Sequence, residues 1–368
     1  MNKQLKESPL HQRHIDAGAK FAEFGGWSMP LEYAGGGVLA EHTAVRSAVG
    51  IFDVSHLGKA MVTGPGAVDF LNTQLTNDLR RIGPGQAQYT MICNPDGGVL
   101  DDLIAYVRAG DEVLLIPTAA NNAAVVERLA AAAPSGVSVT NRHDDFVVIA
   151  VQGTHSDEVL RTAGLPVGHD YMSFATTELA GTELTLCRTG YTGERGYELV
   201  APAEGALAVW DAVVTAGEPY GLQPAGLGAR DTLRTEMGYV LHGQDISPQI
   251  TPVQARLGWA VGWKKNTFAG DGALRAERAA GPARTLRGLK AVGRGIPRTG
   301  MFVLDPSGAE IGVVTSGTFS PTLKTGIALA LIDTTYADGA DVAVQVRSRT
   351  EPFTVTKPPF VTPGVRET

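Results

Sequence analysis

Apolar and polar positions alternate at helical spacing over residues 5–26 until Gly25, Gly26 and Pro30 interrupt them, which predicts a helix followed by a loop hinged on Gly35-Gly36-Gly37. Residues 38–49 predict a short helix that delivers the chain to Gly50-Ile51-Phe52-Asp53-Val54-Ser55-His56. From Lys59 a pattern repeats. Its first copy predicts a strand over 59–63, a helix over 67–75 with Val68, Leu71 and Leu75 on one side, strands over 86–93, 99–108 and 112–117, and a helix over 121–133. Its second copy predicts a strand over 146–151, a helix over 155–163, strands over 183–189 and 197–201, and a helix over 203–216. The shared order of strand, helix, strand, strand, helix predicts two copies facing each other across a pseudo-twofold axis. In that arrangement the 94–102 hairpin lies opposite the 190–198 hairpin, with a pocket between them. Farther on, Ala229, Leu233 and Met237 form an i, i+4, i+8 stripe that predicts a helix stopping at Gly238. After Gly281-Pro282, glycine-punctuated short strands fill residues 285–356.

Candidate chemistry concentrates in the two hairpins. Gly190, Gly193 and Gly196 allow a tight turn that presents Tyr191, Glu194, Tyr197 and Glu198 at defined angles. The two-residue period of a strand sends Tyr197 and Glu198 to opposite faces, so one of them looks inward. A carboxylate beside an aromatic ring suits a flat heterocycle, because it accepts two parallel N–H bonds while the ring stacks. The plain alternative is a solvated hairpin tip. In the other hairpin Asp101 and Asp102 open the apolar run Leu103-Ile104-Ala105-Tyr106-Val107. One of the two enters the pocket and the other faces solvent, and a carboxylate opening a buried strand costs free energy unless it is bonded or used. A pair of turn-stabilising aspartates is the alternative. Arg230, near a helix N-terminus where its charge opposes the dipole, calls for an anionic partner, either a neighbouring carboxylate or the acidic part of a ligand. The indoles of Trp259 and Trp263 read as core, and His56 at a strand end as a hydrogen-bonded structural residue with no role in catalysis.

Composition narrows the partners. With 368 residues, 43% hydrophobic and 19% charged, the chain can bury cores for two or three domains. A net charge of −7 and the lack of a lysine-arginine run argue against nucleic acid. No stretch of about twenty apolar residues and no apolar signal core within Met1 to Gln12 indicate a span or secretion, which fits a cytoplasmic protein. Cys93 and Cys187 stand far apart without a histidine cluster and read as core cysteines, supporting neither a disulfide nor a zinc site.

Taken together, Asn94-Pro95-Asp96-Gly97-Gly98-Val99-Leu100-Asp101-Asp102, Gly190-Tyr191-Thr192-Gly193-Glu194-Arg195-Gly196-Tyr197-Glu198, Ala229-Arg230-Asp231-Thr232-Leu233-Arg234 and Thr315-Ser316-Gly317 resemble, in order and spacing, the aminomethyltransferase (T-protein) family of the glycine cleavage system. The resemblance covers nearly the whole chain. It implies an α+β fold: a three-lobed cloverleaf of two sequence-interleaved, ferredoxin-like α/β lobes and a C-terminal β-barrel, with a folate-binding catalytic region over residues 1–282 and a barrel domain over 283–368. The implied reaction moves a one-carbon unit from an aminomethyl group on the lipoyl arm of a carrier (H) protein, a transient partner, to tetrahydrofolate, releasing ammonia and requiring no metal. By motif position Asp102 matches the family's catalytic aspartate and Glu198 its pterin-binding glutamate. Tyr89, Tyr191 and Trp259 match positions lining the folate cavity, and Arg230 a ligand-binding arginine.

Two departures accompany these matches. Many relatives carry asparagine where Thr118 stands, so a polar contact to ligand or hairpin is expected to differ, and residues 359–365 lack the tyrosine with which some relatives touch folate. Two alternatives remain on the resemblance. A folate-dependent demethylase often comes with a flavin domain, yet no Gly-x-Gly-x-x-Gly segment opens a βαβ unit here. A non-catalytic folate-binding protein supporting iron-sulfur proteins has a cysteine in the hairpin motif, which Thr189-Gly190-Tyr191 lacks.

Overall fold

Two sheets share one core, and the period of their strands decides which side chains meet between them. The computed structural model describes residues 4–347 and 349–366; the first residues of the Met1 to Gln12 segment lie outside them. The first sheet runs Gln86–Cys93, Val99–Ala109, Glu112–Ile116, Ala60–Thr63, Ser138–Asn141 in neighbour order. The second runs Phe174–Leu179, Thr182–Cys187, Gly196–Pro202, Phe146–Gln152, Gly50–Asp53, Gln223–Pro224. Gly50–Asp53 precedes the whole first sheet in the chain but pairs with Phe146–Gln152, which follows it, so the two lobes interleave.

Tyr106, Leu114 and Ile116 of the first sheet pack with Phe52, Val148, Ala150 and Val200 of the second in the shared core. The opposite faces are covered by helices. Leu103, Ala105, Val113 and Leu115 bury with residues of Ala67–Gln74 and Asn122–Ala132. Ile149, Val151, Tyr197, Leu199 and Ala201 bury with residues of Ser156–Thr162 and Ala206–Gly217. A one-residue slip of Gly196–Pro202 would expose Tyr197 and Leu199 to the wrong layer. At about 1.5–3 kcal/mol for each large apolar side chain, that loss pins the register and with it the direction of Glu198.

The expected series of late strands closes into a barrel of Arg284–Ala291, Thr325–Asp333, Glu310–Ser320, Phe302–Leu304, Asp341–Val346 and Arg349–Thr356. Among the described residues no helix is long and apolar enough to cross a membrane.

Two expectations change. Within residues 5–26 the helix is confined to His11–Asp16; Ala19–Phe24 then pairs antiparallel with Trp27–Tyr33 through a turn at Gly25 and Gly26, whose φ values of 58° and 87° favour glycine. Trp27–Tyr33 is thus a strand where the sequence predicts a break and a loop, and the burial of Trp27 and Met29, two residues apart, is its signal. The second copy is also longer than expected, because Phe174–Leu179 is an additional strand whose partly exposed edge position gives it little apolar pattern, and it brings that copy to the three strands of the first. Each lobe thus reads strand, helix, three strands, helix, strand. With that extra strand counted, the 94–98 turn joins the first and second of three consecutive strands and the 188–195 turn joins the second and third. The two hairpins are therefore not equivalent members of the repeat, although both end at the same place.

Candidate active site

Where the shared core opens, a cavity of about 430 Å³ is lined by Tyr89, Asp102, Tyr191, Glu198 and Arg230, with His56, Tyr106, Thr118 and His242 also in its wall. Strand geometry explains the two carboxylates. Asp102, Ile104 and Tyr106 alternate toward the second sheet, and Glu198 and Val200 alternate toward the first, so each acid is the last inward residue before apolar packing begins.

Asp102 accepts a hydrogen bond from the Tyr89 hydroxyl at Oδ2, 3.0 Å, while its Oδ1 is shielded from solvent and has no partner among the described residues. Burial, followed by the charge of Asp101, raises the Asp102 carboxyl to about 7. Asp101 does not face solvent as expected. It is fully buried on the helix side of the sheet, where its carboxylate accepts from the Thr118 N–H at 3.0 Å, the Thr118 hydroxyl at 2.6 Å and Asn121 Nδ2 at 2.8 Å. The Thr118 departure thus has a definite contact, to the hairpin. Asn121 also lies 3.1 Å from Nδ1 of His242, whose Nε2 lies 3.1 Å from the Val99 carbonyl.

On the other side, Thr189 donates its hydroxyl to Glu198 at 2.5 Å, and the Tyr106 hydroxyl lies 3.2 Å from that of Thr189. Tyr197, its neighbour, is buried in the opposite layer. The Tyr191 hydroxyl donates to the Val240 carbonyl, and the guanidinium of Arg230 sits 4.6 Å above the Tyr191 ring. Burial opposes the Arg230 charge and the Glu198 carboxylate supports it, yet among the described residues Arg230 has no ion pair. Glu198, the carboxylate whose charge supports it, thus lies beyond ion-pair distance of Arg230. Glu194, at the hairpin tip, pairs with Arg46 at 2.8 Å and points away from the cavity lining. Gly193, with φ of 85°, lets the turn lie against Met237, where an added Cβ would fall 2.1 Å from sulfur.

The remaining wall, Val240 to Gln244, is held by the buried Asp245. That carboxylate accepts from Arg234 at 2.9 Å, the Leu241 N–H at 2.9 Å, Thr315 at 2.6 Å and Ser316 at 2.8 Å. The Thr315-Ser316-Gly317 motif of the barrel therefore shapes the cavity from outside it.

Trp259 departs from expectation. It is 65% exposed, lies outside the cavity lining, and stacks on Tyr89 with ring centroids 5.5 Å apart. The spacing of Leu257-Gly258-Trp259 forms a short 3-10 turn that buries Ala260 and turns the indole outward. His56, given no role, does line the cavity. Its Nδ1 is buried without a partner among the described residues, and burial and then Arg230 push the imidazole down to about 3, so it is neutral. Tyr106 was findable as the residue four positions along the strand from Asp102; nothing local in the sequence marked His242.

Comparison with known proteins places this geometry among relatives. Residues 10–265 match the family described as GCVT N-terminal domain, and residues 284–362 match the glycine cleavage T-protein C-terminal barrel domain. The chain is 62% identical over 363 residues to an aminomethyltransferase of Parafrankia sp., covering 99% of this chain and 100% of the relative. It is 63% identical over 357 residues to one of Frankia alni, covering 97% and 98%. A crystal structure of glycine cleavage system aminomethyltransferase T from Bartonella henselae superposes with a TM-score of 0.92 at 36% identity, covering 98% of this chain and 99% of that one.

Proposed function

The chain belongs to the glycine cleavage T-protein family, and from that premise we propose how its cavity performs the transfer. It is an aminomethyltransferase, passing the one-carbon unit of an aminomethyl group to tetrahydrofolate in glycine cleavage. The donor is the lipoyl arm of a carrier (H) protein that docks transiently; the C–S bond to that arm breaks, and ammonia, 5,10-methylenetetrahydrofolate and the carrier with its lipoyl thiol freed are the products. Tetrahydrofolate, as co-substrate, supplies the nucleophilic amines that accept the carbon.

The side chains present fit such a ligand. Glu198, held by Thr189, accepts the paired N–H groups of the pterin, while Tyr191 and Tyr89 flank the flat ring system. Arg230, half-buried beside Tyr191 without an ion pair among the described residues, binds an electron-rich oxygen of the ligand. Asp102 is the catalytic residue. Tyr89 holds its Oδ2 and leaves Oδ1 to orient the accepting amine, take up the proton that amine loses, and stabilise positive charge developing on the transferred carbon. Trp259, on the outer side of Tyr89, supports the folate site through that ring. Residues 1–282 form the folate-binding catalytic region and 283–368 the barrel domain, a division supported by the first barrel strand beginning at Arg284.

The observation carrying this reading is that Asp102 and Glu198, from different sheets, open into one cavity. Mixing the protein with tetrahydrofolate and aminomethyl-loaded lipoyl carrier should release ammonia and methylenetetrahydrofolate in equal amounts. No turnover with a competent carrier, together with turnover of a free methylated amine, would point to a demethylase instead; folate binding without turnover of any donor would point to a non-catalytic role.

A further inference from the structure

The two adjacent aspartates have unequal surroundings. Asp101 is on the helix side of its strand with three donors on its carboxylate, two of them N–H groups that cannot accept. It also lies against Asn121, the residue preceding the helix Asn122–Ala132, where the positive end of the helix dipole favours an anion. Asp102 has one donor, Tyr89, and one bare oxygen. Burial raises the Asp101 carboxyl as well, but the bonds from Thr118 and Asn121, with His242 nearby, oppose that rise. When two neighbouring carboxyls share protons, the proton goes to the one with fewer donors. That one is Asp102.

We propose that Asp101, clamped as an anion by Thr118 and Asn121 behind the cavity wall, is the positioning residue that makes Asp102 an exchangeable proton carrier for the transfer. The proposal rests on the reading of Asp102 given above. Asp101 never touches the ligand; its negative charge strengthens the hold of Asp102 on a proton, so that near neutrality the group takes the proton that the folate amine loses and returns it to the nitrogen departing as ammonia. Other titratable or charged groups around Asp102 are Tyr89 on the neighbouring strand, Tyr191 on the glycine hairpin, His242 and Asp245 on the 240–245 wall, and Glu198, Arg230 and His56 across the cavity. Of the carboxylates, Asp101 exerts the larger influence on Asp102, and Asp245 the smaller; the charge of Asp245 is paired with Arg234. The threonine at position 118 serves this clamp with both its N–H and its hydroxyl.

The test is the pH dependence of kcat/KM with tetrahydrofolate and loaded carrier for wild type, Asp101→Asn and Thr118→Ala. Removing the neighbouring charge lowers the proton affinity of Asp102, so the midpoint assigned to Asp102 should move to lower pH by about one unit or more in Asp101→Asn, whichever limb it controls. In Thr118→Ala, Asp101 loses a donor and takes a larger share of the proton, so the midpoint moves the same way by less; this variant keeps the test open if Asp101→Asn does not fold. A merely structural Asp101 would lower the rate at every pH and leave the midpoint where it was, overturning the proposal. Difference infrared spectroscopy reads the same quantity without turnover: a protonated carboxyl band absent in Asp102→Asn should titrate at lower pH in Asp101→Asn than in wild type. If wild type transfers no carbon, the functional reading fails while this band still decides the coupling, and an unshifted band sinks it.

Discussion

Because Asp102 holds its proton up to about 7, the folded chain binds a proton over a range in which the unfolded chain, with an ordinary aspartate near roughly 4, has released it. The folded state binds more protons there, so this residue's contribution to stability falls as pH rises through that window and levels off above it. Asp102→Asn removes the liability. Its melting temperature should exceed that of wild type by a few degrees at about pH 8 and match it near pH 4, measured by circular dichroism, whereas a lower value at both would contradict the raised carboxyl. Glu198 and Glu194 make a second comparison four residues apart. Glu198→Ala should weaken tetrahydrofolate binding by about 2–3 kcal/mol in calorimetric titration, because charge-assisted bonds are lost and ligand N–H groups are stranded. Glu194→Ala, which loses the Arg46 pair outside the cavity lining, should leave affinity nearly unchanged. Equal affinities for wild type and Glu198→Ala would remove Glu198 from the site.

The glycine hairpin works as an element because it is fastened on both sides. Met237 packs under Gly193, and the C-terminal segment crosses it, with the Gly364 N–H donating to the Gly193 carbonyl at 2.8 Å and Arg188 donating to the Val365 carbonyl at 2.7 Å. Gly193→Ala should cost about 1–3 kcal/mol in urea unfolding, from left-handed backbone strain together with the clash on Met237. An unchanged midpoint would mean the turn relaxes freely. At this scale much was legible. The two-residue period alone sent Glu198 and Tyr197 to opposite faces and separated Asp101 from Asp102, although the motif match chose between them. Edge elements are not legible in the sequence: Ala19–Phe24 and Phe174–Leu179 bury too few side chains to imprint a strand period, so the first carries helical spacing and the second no clear pattern. Without the latter strand the two copies of the repeat fall one strand out of step.

Across the whole molecule, the lobes and barrel are joined by buried polar clusters that no local pattern could announce. Glu236 accepts from Arg46 at 2.8 Å, Ser320 at 2.5 Å and Thr322 at 3.0 Å, tying the helix Leu227–Met237 to a barrel turn. Asp245 does the same beneath the cavity wall, with partners up to 71 positions away in the chain. Such contacts join residues far apart in sequence, which is why Thr315-Ser316-Gly317 stood out only through its motif and not through any local period or charge pattern. Asp245→Ala strands the buried Arg234, whose other acid, Asp231, is half exposed. It should lower unfolding free energy by about 3–5 kcal/mol in urea titration. A loss below about 1 kcal/mol would show that Asp231 alone satisfies Arg234. In the proposed mechanism one cavity joins a folate-holding carboxylate to a proton-moving one. The most direct test of that pairing is the single-turnover rate of Asp102→Asn with saturating tetrahydrofolate and aminomethyl-loaded lipoyl carrier. The rate should fall by about two to four orders of magnitude while tetrahydrofolate affinity changes far less. An Asp102→Asn protein that forms methylenetetrahydrofolate as fast as wild type would contradict it.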